Sequence, residues 1–359
     1  MTGPLISALF VGLCVAAAIR PPIPRHPSPF NLSFALGYLI NEVPFLGLWW
    51  LASATLRVVV HPQFGLWAWW LVTAITAAAA AGMLWLAARG FSARPVLSRA
   101  LQESFGPDAA PRYTRPSWWR LLLVPFISWR PDVRRIRNRR YGPARRGNRL
   151  DVYVSRRTRP EHAPVLLYLH GGAFIMGSKM LGAHPLLYRL AARGWVCMSA
   201  DYRLFGVDYR DQLADARAAM SWARANAAVY GGDPDDLFLM GGSAGAHLAA
   251  TTALSGAGVR GVIALYGYYG SVGRQAMSPQ DHIHRDAPPF FIVHGTIDTL
   301  VPARYAGDFA ERLRRVSRQP VAYAAMPGAQ HNFDFFHSIR FQAVTDAVAR
   351  FVEVVVSER

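Results

Sequence analysis

The amino-acid sequence predicts an α/β fold, a mainly parallel sheet with helices on both faces, preceded by N-terminal transmembrane helices. From residue 149 onward, short apolar stretches of strand length alternate with stretches of helical spacing, which is typical of such a sheet. The first 88 residues carry only four charged side chains, whereas the sequence from Arg89 onward is rich in arginine. We therefore expect a membrane region at 1–89, a basic segment at 90–148 and an α/β domain at 149–359.

The membrane region contains three apolar stretches, at residues 4–19, 34–56 and 66–88. The first could be a signal peptide, but its leader has no basic residue, which favours an uncleaved span. The second is interrupted by Glu42 and Pro44. The third has more than 20 residues without a formal charge and is long enough to cross about 30 Å of hydrocarbon. These stretches predict two or three transmembrane helices.

The flanking charges predict the orientation of a multi-pass protein. Few arginines lie between the apolar stretches, but many follow the third one, starting at Arg89. Basic flanks stay on the cytoplasmic side of a membrane, so we expect the α/β domain there. Glu42 is a functional candidate if it lies inside a span. An interfacial or hairpin position for Glu42 is the alternative.

The formal charge of +17 comes almost entirely from arginine, and twelve arginines lie between residues 130 and 159. No nucleic-acid recognition motif accompanies them, so we expect no nucleic-acid partner. A juxtamembrane segment facing anionic lipid headgroups fits this charge better, and a solvated linker is the alternative. The tryptophan-rich residues 117–129 are too short to span a membrane. We expect them to lie in the interface, or to pack on the α/β domain as part of a cap.

The elements of the α/β domain follow from its apolar pattern. Its middle strands are continuously apolar, as expected for strands buried on both faces of a parallel sheet. The predicted strands are residues 150–154, 165–170, 195–200, 237–241, 261–266, 290–294 and 321–326, and the predicted helices are residues 186–193, 211–230, 246–254, 303–316 and 339–356.

The first chemical signal is a G-x-S-x-G motif formed by Gly241, Ser243 and Gly245. It comes directly after a predicted strand and before a predicted helix. The glycines allow a sharp strand-to-helix turn that exposes the serine, and the N-terminus of the helix faces developing negative charge. Ser243 is therefore the candidate nucleophile.

A second signal, His170-Gly171-Gly172-Ala173, ends the predicted strand at 165–170. Small residues there let backbone N–H groups turn towards a substrate carbonyl oxygen, and such donors stabilise a tetrahedral intermediate. Asp298 and His331 each follow a later predicted strand, which gives the chain order Ser, Asp, His. His337 is a rival base, but its position at a helix start makes it the weaker candidate.

These motifs resemble the hormone-sensitive-lipase branch of the α/β-hydrolases, which includes bacterial carboxylesterases, over residues 141–359. The resemblance also includes the sequences Asp201-Tyr202-Arg203-Leu204 and Gly231-Gly232-Asp233-Pro234. It implies an α/β-hydrolase fold and an oxyanion hole made by the N–H groups of Gly172, Ala173 and Ala244. Two positions depart from the family pattern. Ala173 replaces the usual third glycine, and Gly242 replaces an aspartate of many relatives.

The predicted function is a membrane-anchored serine carboxylesterase or lipase that acts on small-molecule or lipid esters through an acyl-enzyme. Ser243 attacks, His331 is the base and Asp298 orients it. No cofactor is required, and His282 and His284 lack companion ligands for a metal. An amidase or peptidase is the alternative hydrolase, and an acyltransferase is the alternative if an alcohol replaces water. A non-catalytic binding protein is disfavoured because the serine and histidine are both present.

Overall fold

The computed structural model describes residues 2–28, 30–60, 66–157 and 161–357. Its N-terminal part consists of helices that precede an eight-stranded sheet. These helices are α1 (Thr2–Ile19), α2 (Leu32–Glu42), α3 (Pro44–Val60), α4 (Leu66–Arg89), α5 (Ala93–Phe105) and α6 (Trp118–Leu123).

The sheet has the strand order β1-β2-β4-β3-β5-β6-β7-β8. β1 is antiparallel to β2, and β2 is antiparallel to β4. The other six strands, β3 to β8, are parallel to one another. The seven predicted strands are confirmed, with shifts of one or two residues at their ends, except that the strand predicted at 237–241 already begins at Gly232. The strands are β1 (Val133–Arg140), β2 (Arg149–Ser155), β3 (Ala163–Leu169), β4 (Val196–Ala200), β5 (Gly232–Gly242), β6 (Gly261–Leu265), β7 (Phe290–Gly295) and β8 (Val321–Met326).

Helices cover both faces of the sheet, as predicted. Successive residues of a strand point to opposite faces, so Leu166 joins one buried apolar cluster and Leu167 joins the other. The helices of this part of the chain are α7 (His184–Ala192), α8 (Tyr209–Asn226), α9 (Ala244–Leu254), α10 (Arg304–Val316) and α11 (Ile339–Ser357). α5, α7 and α11 pack on the first face, and α8, α9 and α10 pack on the second.

The sheet starts earlier than the expected domain start at residue 149. Residues 90–148, expected to form a linker, an interfacial segment or a cap, supply the edge strand β1 and the packed helix α5. The apolar residues Leu97 and Leu101 of α5 are fully buried. β1 escapes a pattern-based prediction because it is mostly arginine, and an edge strand tolerates exposed charged side chains.

The N-terminal helices pack together around a small apolar cluster that includes Val15, Ile40 and Met83. The second predicted span is not one straight helix, since α2 and α3 meet at an angle of 89°. Pro44 begins α3 and has no N–H to continue the ladder of α2. Among the described residues, one helical segment, Trp69–Phe105, is long and apolar enough to cross a membrane, and it runs through α4 and α5. The bent pair of α2 and α3 is a second candidate. The helix formed by the first stretch is shorter.

Candidate active site

Ser243 lies at the sharp turn between β5 and α9. Its backbone has φ 54° and ψ −117°, and its N–H donates to the carbonyl oxygen of Leu265 at 2.9 Å. A Cβ atom at Gly241 would collide with the backbone of Gly245, and one at Gly245 would collide with the carbonyl of Leu169. The two glycines of the motif therefore let the turn pack against the end of β3.

The structure brings the three predicted catalytic side chains into one hydrogen-bonded row. Nε2 of His331 lies 2.9 Å from Oγ of Ser243, and its Nδ1 lies 2.6 Å from Oδ2 of Asp298. His337 is elsewhere, with its Nε2 3.1 Å from the carbonyl oxygen of Ile127. His331 is therefore the histidine placed to exchange a proton with the serine.

Asp298 is fully buried, yet it is held in its ionised form. Burial alone would raise its pKa, but the nearby His331 and the hydrogen bonds from His294 and His331 together lower the pKa below its usual range. Its Oδ1 also accepts hydrogen bonds from the N–H groups of Leu300 and Val301 at 2.9 and 2.8 Å.

Two supporting side chains, His294 and Gln330, have roles that the sequence did not indicate. Nε2 of His294 lies 3.1 Å from Oδ2 of Asp298, the same oxygen that His331 contacts. Oε1 of Gln330 accepts from the N–H groups of Thr299 and His331 at 2.7 and 3.0 Å. Gln330 thereby joins the loop of the acid to the loop of the base. Its place directly before His331 was the only local signal.

The loop after β3 has three consecutive residues with positive φ: Gly172 at 128°, Ala173 at 51° and Phe174 at 66°. Within the described part of the chain, the N–H groups of Gly172, Ala173 and Ala244 donate no hydrogen bond. The side chain of Ala173 is exposed. Beneath the loop, His170 is buried and stacks on Tyr202 with ring centroids 4.3 Å apart.

Gly242, the second departure from the family pattern, is explained by a buried cluster behind the nucleophile. A Cβ atom at Gly242 would collide with the hydroxyl group of Tyr266. That hydroxyl donates to Asp334, and the ring of Tyr266 packs 4.6 Å from the ring of His331. Burial raises the pKa of Asp334 to about 6. The space of the missing aspartate side chain is therefore filled by a tyrosine from β6's end.

The N-terminal segment before and within α2 lies directly on the loops that carry the acid and the base. The N–H of Ser28 donates to Leu300 at 2.9 Å, and the side chain of Asn31 donates to Thr299 at 3.3 Å. The hydroxyl of Tyr38 donates to the carbonyl oxygen of Asn332 at 2.8 Å. We expected any cap to come from residues 90–148, but residues 28–42 make these contacts instead.

The end of α2 is fixed to the α/β domain by buried polar contacts. Glu42 accepts from Nη1 of Arg340 at 2.6 Å, and both side chains are buried. The carbonyl oxygen of Gly328 accepts from Arg340, Asn41 and Arg89 at 3.0, 3.1 and 3.2 Å. Glu42 is therefore a buried ion-pair partner at a helix–domain contact, and its position at the 89° bend between α2 and α3 resembles the hairpin alternative.

Comparisons with known proteins agree with this geometry. A family model described as BD-FAE matches residues 150–262. The propionate-bound esterase Est2 of Thermogutta terrifontis has a TM-score of 0.54 and 25% identity, over 62% of this chain and 94% of its own. The probable carboxylic ester hydrolase LipM of Mycobacterium tuberculosis is 32% identical, over 97% of this chain and 93% of its own length. The chain belongs to the α/β-hydrolase family of esterases.

A second esterase of this family, LipQ of Mycobacterium tuberculosis, is 32% identical over 77% of this chain and 78% of its own length. The expected enzyme class is thus confirmed: the protein is a serine hydrolase that acts on carboxylic esters. The alignment with LipM covers 97% of the chain, so it includes most of the N-terminal helices as well.

Proposed function

We propose that the protein is a membrane-anchored carboxylesterase that cleaves its substrate through an acyl-enzyme on Ser243. The observation that carries the proposal is the position of His331, which lies 2.9 Å from Oγ of Ser243 and 2.6 Å from Asp298. A serine, a histidine and an ionised aspartate in this order form a nucleophile, a base and the group that orients the base.

In the proposed reaction, Nε2 of His331 takes the proton of Ser243 as Oγ attacks the ester carbonyl carbon. Asp298 holds Nδ1–H of the imidazole and stabilises the cation that forms. His331 then protonates the leaving alcohol, and the acyl group stays on Ser243. Water, deprotonated by the same histidine, attacks the acyl-enzyme, and His331 returns the proton to Oγ of Ser243 as the acid is released.

The oxyanion hole is proposed to consist of the N–H groups of Gly172, Ala173 and Ala244. These donors are unused within the described residues, and Ala244 begins α9, where the helix dipole favours negative charge. The positive φ angles of the loop after β3 support this assignment, because they turn its backbone away from the direction of the strand. Removing one such donor typically costs about 10²–10³ in kcat in other serine hydrolases.

The substrate is proposed to be a hydrophobic small-molecule or lipid ester. Ile175 and Met176, directly after the oxyanion loop, are 57% and 62% exposed and offer apolar surface beside the site. Structures of the related Est2 carry propionate and butyrate. Short acyl esters are therefore the first substrates to test, followed by a series of increasing chain length.

Membrane anchoring is proposed from the outward faces of the N-terminal helices. Leu9, Phe10, Trp50, Trp70 and Trp85 are each at least 50% exposed, although they belong to helices that pack together on their other side. Large apolar side chains exposed on several neighbouring helices fit lipid better than water. The basic residues that follow α4 favour the cytoplasmic side for the catalytic domain in a multi-pass arrangement.

The catalytic proposal is tested by Ser243→Ala, with turnover of nitrophenyl butyrate as the readout. We expect a loss of about 10⁴-fold or more, because the covalent route disappears. Ser255→Ala, an exposed serine at the end of α9, is the matched control and should keep its activity. A fluorophosphonate probe should label wild type and the control but not Ser243→Ala. Retention of a tenth of the activity in Ser243→Ala would refute the assignment.

Anchoring and orientation need separate measurements on the full chain in cells. Hydrophobic spans require detergent for extraction, whereas salt removes only electrostatic attachment. Release by high salt would therefore contradict the spans. Protease added to intact cells should leave the catalytic domain uncut, and its digestion would place the domain outside.

A further inference from the structure

A cavity of about 350 Å³ lies between α6, α7 and the start of α11, away from the proposed catalytic residues. Its walls include the residues from Thr114 to Leu121, the outer side of α7 and Gln342 of α11. Five guanidinium groups line it, those of Arg115, Arg120, Arg130, Arg189 and Arg193.

The positive charge of this cavity is only partly balanced. Asp346 pairs with both Arg189 and Arg193, at 2.7 and 3.0 Å, and Asp132 pairs with Arg130 at 2.7 Å. Among the described residues, Arg115 and Arg120 have no carboxylate partner within 4.0 Å. Five cations against two carboxylates leave a net charge of +3.

The side chain of Arg120 is held in place in the cavity wall by hydrogen bonds and by contact with an aromatic ring. Its guanidinium donates to the carbonyl oxygens of Ile127 and Trp129 at 3.0 and 3.4 Å, and it stacks on Trp119 at 4.7 Å. Burial and the neighbouring charge of Arg130 lower its pKa. His337 also lines the cavity, but burial lowers its pKa to about 4, so it is neutral at pH 7.

An apolar rim adjoins the cavity. Trp118, Trp119 and Trp129 are 47%, 57% and 60% exposed, and Phe126 and Ile127 beside them are exposed by more than half. Tryptophan at this density is typical of the headgroup level of a membrane, and clustered arginines bind anionic headgroups there. Guanidinium groups also match phosphate oxygens with paired hydrogen bonds.

We propose that this cavity binds the phosphate group of an anionic phospholipid, with the acyl chains lying along the tryptophan rim. The phosphate supplies the negative charge that Arg115 and Arg120 lack. The proposal is independent of ester hydrolysis, because Ser243→Ala should bind the lipid as wild type does.

The test uses the full-length protein in neutral detergent micelles and measures binding of phosphatidic acid by calorimetry. Arg115→Gln/Arg120→Gln should weaken binding by about tenfold or more, because each charge-assisted hydrogen bond to phosphate is lost. Arg145→Gln/Arg146→Gln removes the same charge from exposed arginines of the basic segment outside the cavity and is the matched control. It should change the affinity by less than about threefold, since exposed charges are screened.

Equal losses in the two variants would reduce the effect to non-specific charge and overturn the proposal. Inorganic phosphate that binds as tightly as the lipid would overturn the phospholipid as ligand. Because Arg120 also holds the segment after α6, Arg115→Gln and Arg193→Gln are measured singly as well. Both of these side chains are exposed enough to be replaced without loss of folding, so unchanged affinity in both would count against the site.

Discussion

Glu42 and Arg340 form a buried ion pair with a separation of 2.6 Å, although they are 298 positions apart in the chain. Glu42 ends α2 and Arg340 lies in the first turn of α11, so the pair joins an N-terminal helix to the last helix of the α/β domain. The N-terminal helices are therefore part of the structure around the proposed site and not a separate tether.

We expect Glu42→Ala to destabilise the protein by about 3–5 kcal/mol, because it leaves the guanidinium of Arg340 buried without a counter-charge. The free energy of unfolding in detergent measures the effect. Glu311→Ala breaks the exposed pair with Arg315 and is the matched control, with an expected change below about 1 kcal/mol. Equal effects in the two variants would show that the buried pair does not hold α2 in place.

Gln330→Met should lower kcat by about tenfold or more with little change in KM. The methionine has a similar size but leaves the N–H groups of Thr299 and His331 without their acceptor, so the acid and base loops lose their common support. Gln330→Glu keeps an acceptor oxygen and should recover part of the activity. A large rise in KM with unchanged kcat would instead indicate that Gln330 contacts the substrate.

His331→Ala should abolish ester hydrolysis, whereas His337→Ala should keep most of it. Only the first histidine contacts Ser243, and the second lies against Ile127 and Arg120. Initial rates with a short-chain nitrophenyl ester distinguish the two variants. The reverse result would move the base into the arginine-lined cavity and refute the proposed site.

Gly242→Ala should reduce stability and turnover, because its methyl group would meet the hydroxyl of Tyr266. Tyr266→Phe removes that hydroxyl, so the double variant should be less impaired than the sum of the two single variants. Unfolding free energies of all four proteins give the coupling between the two positions. Strict additivity would mean that the tyrosine moves aside freely.

The sequence alone predicted the three side chains that the structure brings together in the candidate site. Ser243, Asp298 and His331 each follow an apolar strand, and the carboxyl ends of parallel strands meet at one edge of a sheet. Local patterns also identified the seven strands β2 to β8. Contacts between distant loops leave no such local pattern, which is why Gln330 and His294 were assigned no role.

Hydropathy likewise described the N-terminal helices one segment at a time. It reports whether a segment avoids water, but not whether it packs on lipid or on the rest of the chain. The acceptor for Tyr38 and the partner of Glu42 lie about 300 residues away, so the docking of α2 could not be predicted. β1 was missed for a related reason, since five of its eight residues are arginines.

Stability should fall as the pH decreases from about 6.5 to about 4, partly because of His247. Burial lowers the pKa of His247 to about 4, and its Nε2–H donates to Gly270 while Nδ1 faces the hydroxyl of Tyr209. In the unfolded chain His247 takes up a proton near pH 6.5, whereas in the folded protein it does so near pH 4. Between these two pH values, protonation of His247 therefore favours the unfolded state. Asp334, with a raised pKa, acts in the opposite direction.

His247→Gln isolates the contribution of this histidine. The stability of wild type relative to the variant should shrink on acidification, by at most about 3 kcal/mol between pH 7 and pH 4. Denaturant unfolding at a series of pH values provides the measurement. A constant difference would show that His247 is not held neutral in the folded protein.

The contacts of Ser28, Asn31 and Tyr38 also join parts of the chain that are synthesised at different times. These residues leave the ribosome before the loops that they hold, since Thr299 to Asn332 are translated more than 250 residues later. At a translation rate of about 5–20 residues per second, the loops that contact the N-terminal helices are synthesised tens of seconds after those helices. When Ser243 has left the ribosome, His331 and the loops that α2 contacts have not yet been synthesised. Hydrolytic competence therefore requires that the loops at Thr299 to Asn332 have been synthesised and have met α2.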